Sequence, residues 1–265
     1  MKENINKGFS KISHEYEQLE KSSSLITWMR MRIRNHFEKI AISKGRLLEI
    51  NCGSGIDAVY FAENGYQVHA TDIATGMISY VKQKINVKKL KENLSCELLS
   101  FNELNILKPK KYNHLFSNFG GLNCSSLAEL KVIFSSFIDL LEENGTITLV
   151  IMPKICMWEF LRIFKGQKSA FRRLKKGGVI ANIEGEKVHT YYHDVNSIKT
   201  LLSSNFVDIK VENICFFAPA GNRVDFPEKH PKIFKLLSSL DYLSNKISVL
   251  QGYGDYYIIS AKKRS

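Results

Sequence analysis

Short apolar runs alternate along the first 153 residues with segments whose apolar positions recur every three or four residues. The runs are 46–51, 66–72, 94–99, 112–117 and 146–152. Short apolar runs bounded by turn residues predict strands, and the first of them, set before glycines, predicts a buried parallel strand. Between them, Ile56–Asn64 carries Ile56, Val59 and Tyr60 on one helical face, and a second helix opens around Met77. Ser125 or Ser126 caps a third helix running to about Leu141. Gly65 and Gly145 end turns, and Pro153 closes the fifth strand. This alternation predicts an α/β fold with a parallel, doubly wound sheet.

The flanks read differently. Residues 1–43 are helical and polar-leaning. Ser22–Ser24 caps a helix from Leu25 to about Ala41, with Trp28, Met29, Ile33, Phe37 and Ile40 at helical spacing toward the sheet. Arg30, Arg32 and Arg34 fall on other faces, either solvated or with one aimed into a pocket. Residues 154–193 break the alternation and read as an insertion. A short helix starts at Trp158, seven Lys or Arg and no acid lie between Arg162 and Lys176, and 187–193 alternates like a strand. Asp194 then caps a helix to about Ser203, 206–217 is a long strand, and 219–231 is loop. Residues 233–247 are helical with Phe234, Leu237, Leu240 and Leu243 or their neighbours buried, and 255–261 is the last strand. The whole reads as one domain, 1–265. Residues 1–44 form a helical cap, 45–153 a core, 154–193 a lid, and 194–265 the last helices and two sheet strands.

Composition narrows the class. Of 265 residues, 44% are hydrophobic and 24% charged, ordinary globular values. No apolar run is long enough to span a bilayer, and residues 1–7 lack the apolar core of a signal peptide. Cys52, Cys96, Cys124, Cys156 and Cys215 form no C-x-x-C pair, which fits reduced thiols in a cytoplasmic protein better than a disulfide framework or a zinc site. The net charge of +12 admits a nucleic-acid partner without establishing one. Lysine-, asparagine- and isoleucine-rich usage is also what an AT-rich genome produces. The lysines of 82–91 read as a solvated helix end.

The turn after the first strand carries the chemistry. Gly53 and Gly55 permit a tight turn and close approach of a ligand to the backbone. Asp72, at the end of the second strand, is placed to bond two ribose hydroxyls. Gly53–Ala58 satisfies G-x-G-x-x-A, so a nicotinamide dinucleotide and S-adenosylmethionine compete. Glu49 decides between them. An acid at the strand end suits a cationic ammonium or sulfonium and would repel a pyrophosphate.

The segment 47–72 resembles motifs I and II of the class I S-adenosylmethionine-dependent methyltransferases, and Asn51–Ala58 resembles a small-molecule, methyltransferase-11/25-like branch. The resemblance implies a Rossmann-like, seven-stranded sheet, mostly parallel with one antiparallel strand beside the fifth, plus N-terminal helices and the lid insertion. It implies S-adenosylmethionine as cofactor, held by Glu49, Asn51, Gly53, Ser54, Gly55 and Asp72. Ile73 would pack on the adenine, with Met77 nearby. Many relatives have Asp where this chain has Ser100, so Ser100 and Phe101 are the adenine-edge candidates, the hydroxyl a weaker partner than a carboxylate. Ser117, Asn118 and Phe119 would line the methyl region, and Tyr16 is the tyrosine of the covering helix. The chain lacks the Asn-Pro-Pro-Tyr or Asp-Pro-Pro-Tyr signature of many nucleic-acid and protein methyltransferases. That favours a small-molecule acceptor, an anionic one among the options.

Methyl transfer is an in-line displacement that mostly needs alignment. A base is needed only when the nucleophile carries its proton, and the candidates are His14, His193 and Tyr191. No cluster of acids points to a metal. RNA or protein methylation and non-catalytic S-adenosylmethionine binding are the alternative classes. The sequence leaves the acceptor and the oligomeric state open.

Overall fold

The structure is a computed structural model that describes residues 2–109, 111–160 and 168–264. Three helices come first, α1 (Lys2–Lys11), α2 (Ser13–Ser22) and α3 (Ser24–Ile40). Then β1 (Arg46–Ile50), α4 (Ile56–Glu63), β2 (Gln67–Asp72), α5 (Thr75–Val87), β3 (Leu94–Leu98), β4 (Tyr112–Ser117), α6 (Leu127–Leu140) and β5 (Leu141–Ile151) follow. Beyond them lie α7 (Met157–Phe160), β6 (Val179–Ile183), β7 (Glu186–Thr190), α8 (Val195–Leu202), β8 (Phe206–Ile214), α9 (Phe226–Lys229), α10 (Pro231–Ser244) and β9 (Tyr256–Lys263).

Seven strands form one sheet in the order β3-β2-β1-β4-β5-β9-β8, and β6 pairs with β7 separately. β1 to β5 run parallel, while β9 is antiparallel to both β5 and β8. This is the mostly parallel sheet with one antiparallel strand that the family resemblance implies. Leu47 and Phe116 pack into the core on the α3–α4 side, and their neighbours Leu48 and Leu115 into the core on the α6–α8 side. Alternate side chains on opposite faces make both faces apolar, so each run is continuous. The strand order reverses at β1 and β4, which places a crevice at their carboxyl ends.

Several sequence expectations are corrected. β5 starts at Leu141 rather than Thr146, because Leu141 pairs with Tyr112 ahead of an irregularity in the ladder. β8 stops at Ile214 rather than Phe217. Cys215 takes φ +59, and the backbone N–H groups of Phe216, Phe217 and Ala218 turn to the Asp241 carboxylate at 2.8, 2.7 and 3.2 Å. Asp241 and Ser244 are therefore the residues α10 buries, while Leu243 is exposed. Arg32 is neither solvated nor in a pocket; it is buried and donates to Asp241 at 3.1 Å. Lys84 is not a solvated helix-end lysine, since it pairs with Glu17 at 2.7 Å and donates to the Ser54 carbonyl at 2.8 Å.

The 154–193 segment contains a strand absent from the sequence reading, β6. Glu184 and Gly185 take φ +48 and +83 between β6 and β7, the two-residue turn that suits hairpin twist. The hairpin is attached to α1: Asn4 Nδ2 donates to the Lys187 carbonyl at 3.4 Å, and Lys11 pairs with Glu186 at 2.8 Å. Arg162 and Lys165 lie outside the described residues. Of the remaining basic stretch, Arg173 is buried between Asp255 at 2.5 Å and Glu159 at 3.1 Å. Arg172 pairs with Glu159 at 3.0 Å, and Lys175 and Lys176 are exposed. Arg173 thus neutralises two acids inside the protein instead of presenting charge outward.

Candidate active site

The β1–α4 turn is built from left-handed backbone, with φ +49 at Asn51, +55 at Gly53 and +78 at Gly55. Gly55 has a second reason to be glycine: a Cβ there would meet the Val81 side chain of α5 at 2.8 Å. Asp72 locks the turn from the next strand. One carboxylate oxygen accepts the Gly53 N–H at 2.9 Å and the other the Ala74 N–H at 2.8 Å. Each oxygen keeps a second lone pair for a ligand. Burial pushes the Asp72 carboxyl upward, and these amide donors oppose it.

Behind the turn lies a buried charge network. Asp57 receives Arg30 Nη1, Arg34 Nε at 2.7 Å and Asn118 Nδ2 at 2.7 Å. Burial by itself would raise Asp57, but the two guanidinium groups and the amide outweigh it and hold the carboxyl below its usual range. Arg30 also stacks over Phe119, 4.6 Å from the ring centre. The α3 arginines therefore act as internal counter-ions. Glu49 is 1% exposed, and its Oε2 has no hydrogen-bond partner among the described residues. Burial, with Asp57 next, pushes its carboxyl well above the ordinary value.

In front of the turn is a cavity of about 1190 Å³, counting the mouth that opens to solvent. Its wall includes Tyr16, Asn51, Gly53, Asp72, Ile73, Met77, Ser100, Phe101, Asn118 and Phe119. Glu49, Ser54, Gly55 and Ser117 do not line it. Ser54 and Ser117 are buried, and Ser117 Oγ donates to Asn51 Oδ1 at 2.6 Å. Tyr16 approaches Gly53, lying 3.6 Å from where a Cβ would stand. Ser100 Oγ accepts the Asn102 N–H at 3.3 Å, which leaves its own proton to donate.

None of the three candidate bases lines the cavity. His14 contacts the Tyr80 hydroxyl at 2.8 Å on the outer groove between α2 and α5. His193 is buried, with Nε2 at 3.0 Å from the Ser125 carbonyl, and burial lowers its pKa, so it sits neutral as a carbonyl donor. Tyr191 uses its backbone in place of its phenol: its N–H donates to Asn123 O at 2.7 Å. Among the described residues no three His, Cys, Asp or Glu are grouped to hold a metal.

The far wall is formed by residues that no spacing in the sequence connects. Ile5 and Phe9 come from α1, Met152 from the end of β5, and Ile183, Val188 and Thr190 from the hairpin. Asn123 ties these parts together. It is fully buried and binds Met152 N at 2.9 Å, Met152 O at 3.0 Å and Tyr191 O at 2.6 Å. Among the described residues no Lys, Arg or His is on the wall, and Asp72 is the one acid there. Cys124 is there too, its thiol pushed up to about 11 by burial and by Asp72, hence protonated at neutral pH. Apolar spacing in α1 was the only available signal for Ile5 and Phe9, and it says nothing about what they face.

Residues 47–145 match the family model described as a methyltransferase domain. The matched segment runs from β1 into β5, so the strands and loops that carry the Asp72 turn fall within a methyltransferase domain. No curated protein matches it. Among solved structures, it is similar to a Haemonchus contortus phosphoethanolamine N-methyltransferase 2 in complex with S-adenosyl-L-methionine, at 15% identity and TM-score 0.62. That match covers 97% of this chain but 57% of the other, so the chain spans a little over half its length. A Burkholderia thailandensis 1,6-didemethyltoxoflavin-N1-methyltransferase matches at 13% identity and TM-score 0.56, over 99% and 88% of the two chains. An Archaeoglobus fulgidus SAM-dependent methyltransferase matches at 15% and 0.54, over 88% and 92%. At these identities the likeness concerns the fold. Among the described residues no helix is long and apolar enough to cross a membrane.

Proposed function

We propose that the cavity binds S-adenosylmethionine against the β1–α4 turn and methylates a small, uncharged, largely apolar molecule held between Phe119, α1 and the hairpin. The observation that carries this reading is the Asp72 carboxylate, held by two backbone N–H groups with free lone pairs toward the cavity. It suits a ribose diol. Ile73 and Phe101 offer apolar contact for the adenine, and Ser100 a hydroxyl donor. Glu49, buried behind the turn with Oε2 unpartnered among the described residues, suits the ammonium end of the cofactor as a charge behind the wall or through water, not as a wall contact. When bound, S-adenosylmethionine supplies a methyl group already activated on a sulfonium.

The chain's contribution is then alignment and exclusion of water. A wall that is apolar and without Lys, Arg or His among the described residues supports a neutral acceptor over an anionic one, because an anion buried against those residues would be left unpaired. The same wall suits a nucleophile that already has its lone pair, such as a neutral amine or ring nitrogen, since no histidine is at hand to take a proton first. The 154–193 segment, through its hairpin, would act as a lid that selects the acceptor. The enclosed space, roofed by α1 and the hairpin, supports a metabolite over RNA or protein.

Calorimetry with S-adenosylhomocysteine and with NAD tests the cofactor half: the first should bind and the second should not. Incubation with labelled S-adenosylmethionine and a metabolite extract tests the acceptor half. A labelled product that is anionic, or label only in polymer, would overturn the neutral-acceptor reading.

A further inference from the structure

Helix α10 and the turn after it carry an apolar stripe that is largely exposed among the described residues. Ile233, Leu236, Leu240 and Leu243 recur at intervals of three and four residues, which places them on one helical face with Leu240 half-buried at its edge, and Ile247 follows in the turn after the helix ends at Ser244. Ile233, Leu236, Leu243 and Ile247 are 50%, 61%, 51% and 49% exposed. The opposite face holds the helix in place through Asp241, and Phe234 meets Trp28 edge to face at 5.6 Å. A surface helix ordinarily turns its stripe inward; this one turns it outward.

The charge beside the stripe is of one sign. Lys232, Lys235 and Lys246 are exposed, and none forms an ion pair among the described residues. The helix's one acid, Asp241, is buried and turned inward toward Arg32. The acids just before it in the chain are engaged elsewhere, Asp225 with Lys229 and Glu228 with Ser24.

We propose that this face lies on an anionic lipid bilayer surface, with the stripe at the headgroup boundary and the three lysines against acidic headgroups. The 14-residue helix is about 21 Å long, suited to lying in the interface. Apolar area and a basic flank are the two signals that together hold a protein at a membrane. Charge excludes the other obvious occupant. A second copy meeting this face symmetrically would set its own three lysines beside these, on a chain whose net charge is already +12. The proposal rests on α10 and not on the methyl-transfer reading.

The test is flotation of the full-length protein with mixed phosphatidylcholine–phosphatidylserine vesicles and with pure phosphatidylcholine vesicles. Binding is expected to the mixed vesicles, at least roughly tenfold weaker to the neutral ones, and several-fold weaker on raising salt. The double variant Leu236→Ser, Leu243→Ser and the triple variant Lys232→Gln, Lys235→Gln, Lys246→Gln each change exposed positions, so both should keep the wild-type circular dichroism. Each should lose roughly tenfold in partitioning. Absence of binding to mixed vesicles overturns the proposal, as does binding that both variants leave unchanged. A self-associated species that the double leucine variant dissolves, without vesicle binding, also overturns it and assigns the stripe to a second copy.

Discussion

Asn118 Nδ2 donates to the Asp57 carboxylate at 2.7 Å, which ties the loop leaving β4 to the first turn of α4. These are the two segments that flank the cavity at the switch point of the sheet. The bond fixes them to one another through a carboxylate that Arg30 and Arg34 also hold. Phe119, next in the chain, is set by the same contact, since its N–H donates to Asn118 Oδ1 at 2.7 Å.

Asp57→Ala should leave the Arg30 charge buried and uncompensated. The expected cost is about 3–5 kcal/mol in denaturant unfolding, as for other broken buried pairs. A loss below about 1 kcal/mol would mean that water or Glu49 takes over the arginines and the network does not set the fold here.

For Asp72→Ala, the expected loss in S-adenosylhomocysteine affinity is about 2–4 kcal/mol, two hydroxyl bonds to a charged acceptor. The Gly53 and Ala74 amides lose their partner too, so unfolding should be followed alongside calorimetry. A change under about threefold in affinity, which is about 0.7 kcal/mol, would remove Asp72 from the ribose role.

Glu49 gives the site a pH signature. Its carboxyl titrates well above the ordinary value because burial penalises the ionised form. A cationic ammonium favours that ionised form, so binding should release a proton and affinity should rise with pH across the range above about 4.5. Glu49→Gln, which cannot ionise, should flatten the rise. Parallel pH dependences in wild type and Glu49→Gln would assign the effect to another group.

Arg173→Ala should unfold the protein more easily by about 3–5 kcal/mol, because Asp255 and Glu159 lose their buried partner. Lys175→Gln with Lys176→Gln should stay within about 0.5 kcal/mol, as exposed substitutions do. Thermal or urea melts of the two variants separate an internal counter-ion from a surface charge. Equal effects would return the stretch to a uniform basic patch.

What the sequence determined by itself was local and periodic. Apolar runs marked β1 to β5 because a parallel strand is apolar on both faces. Gly53, Gly55 and Asp72 marked the β1–α4 turn because backbone at positive φ and a strand-end carboxylate are set within one β–α–β unit. The single antiparallel strand followed from the family resemblance. Tertiary structure decided whatever depends on a partner far along the chain. Spacing left Arg30 and Arg32 either to solvent or to a pocket; Asp57 and Asp241, the latter 209 residues from Arg32, neutralise them inside the protein instead. Phe234, Leu237 and Leu240 of α10 are half-buried as their spacing predicts, but Leu243 is exposed, and the fully buried place on that face goes to Asp241, one carboxylate serving four backbone amides. The far wall joins α1, the end of β5 and a hairpin through the Asn123 amide, and no spacing within any one of them encodes that meeting. Periodicity records which face of an element is apolar; only packing determines what that face meets, and where each buried charge finds its counter-ion.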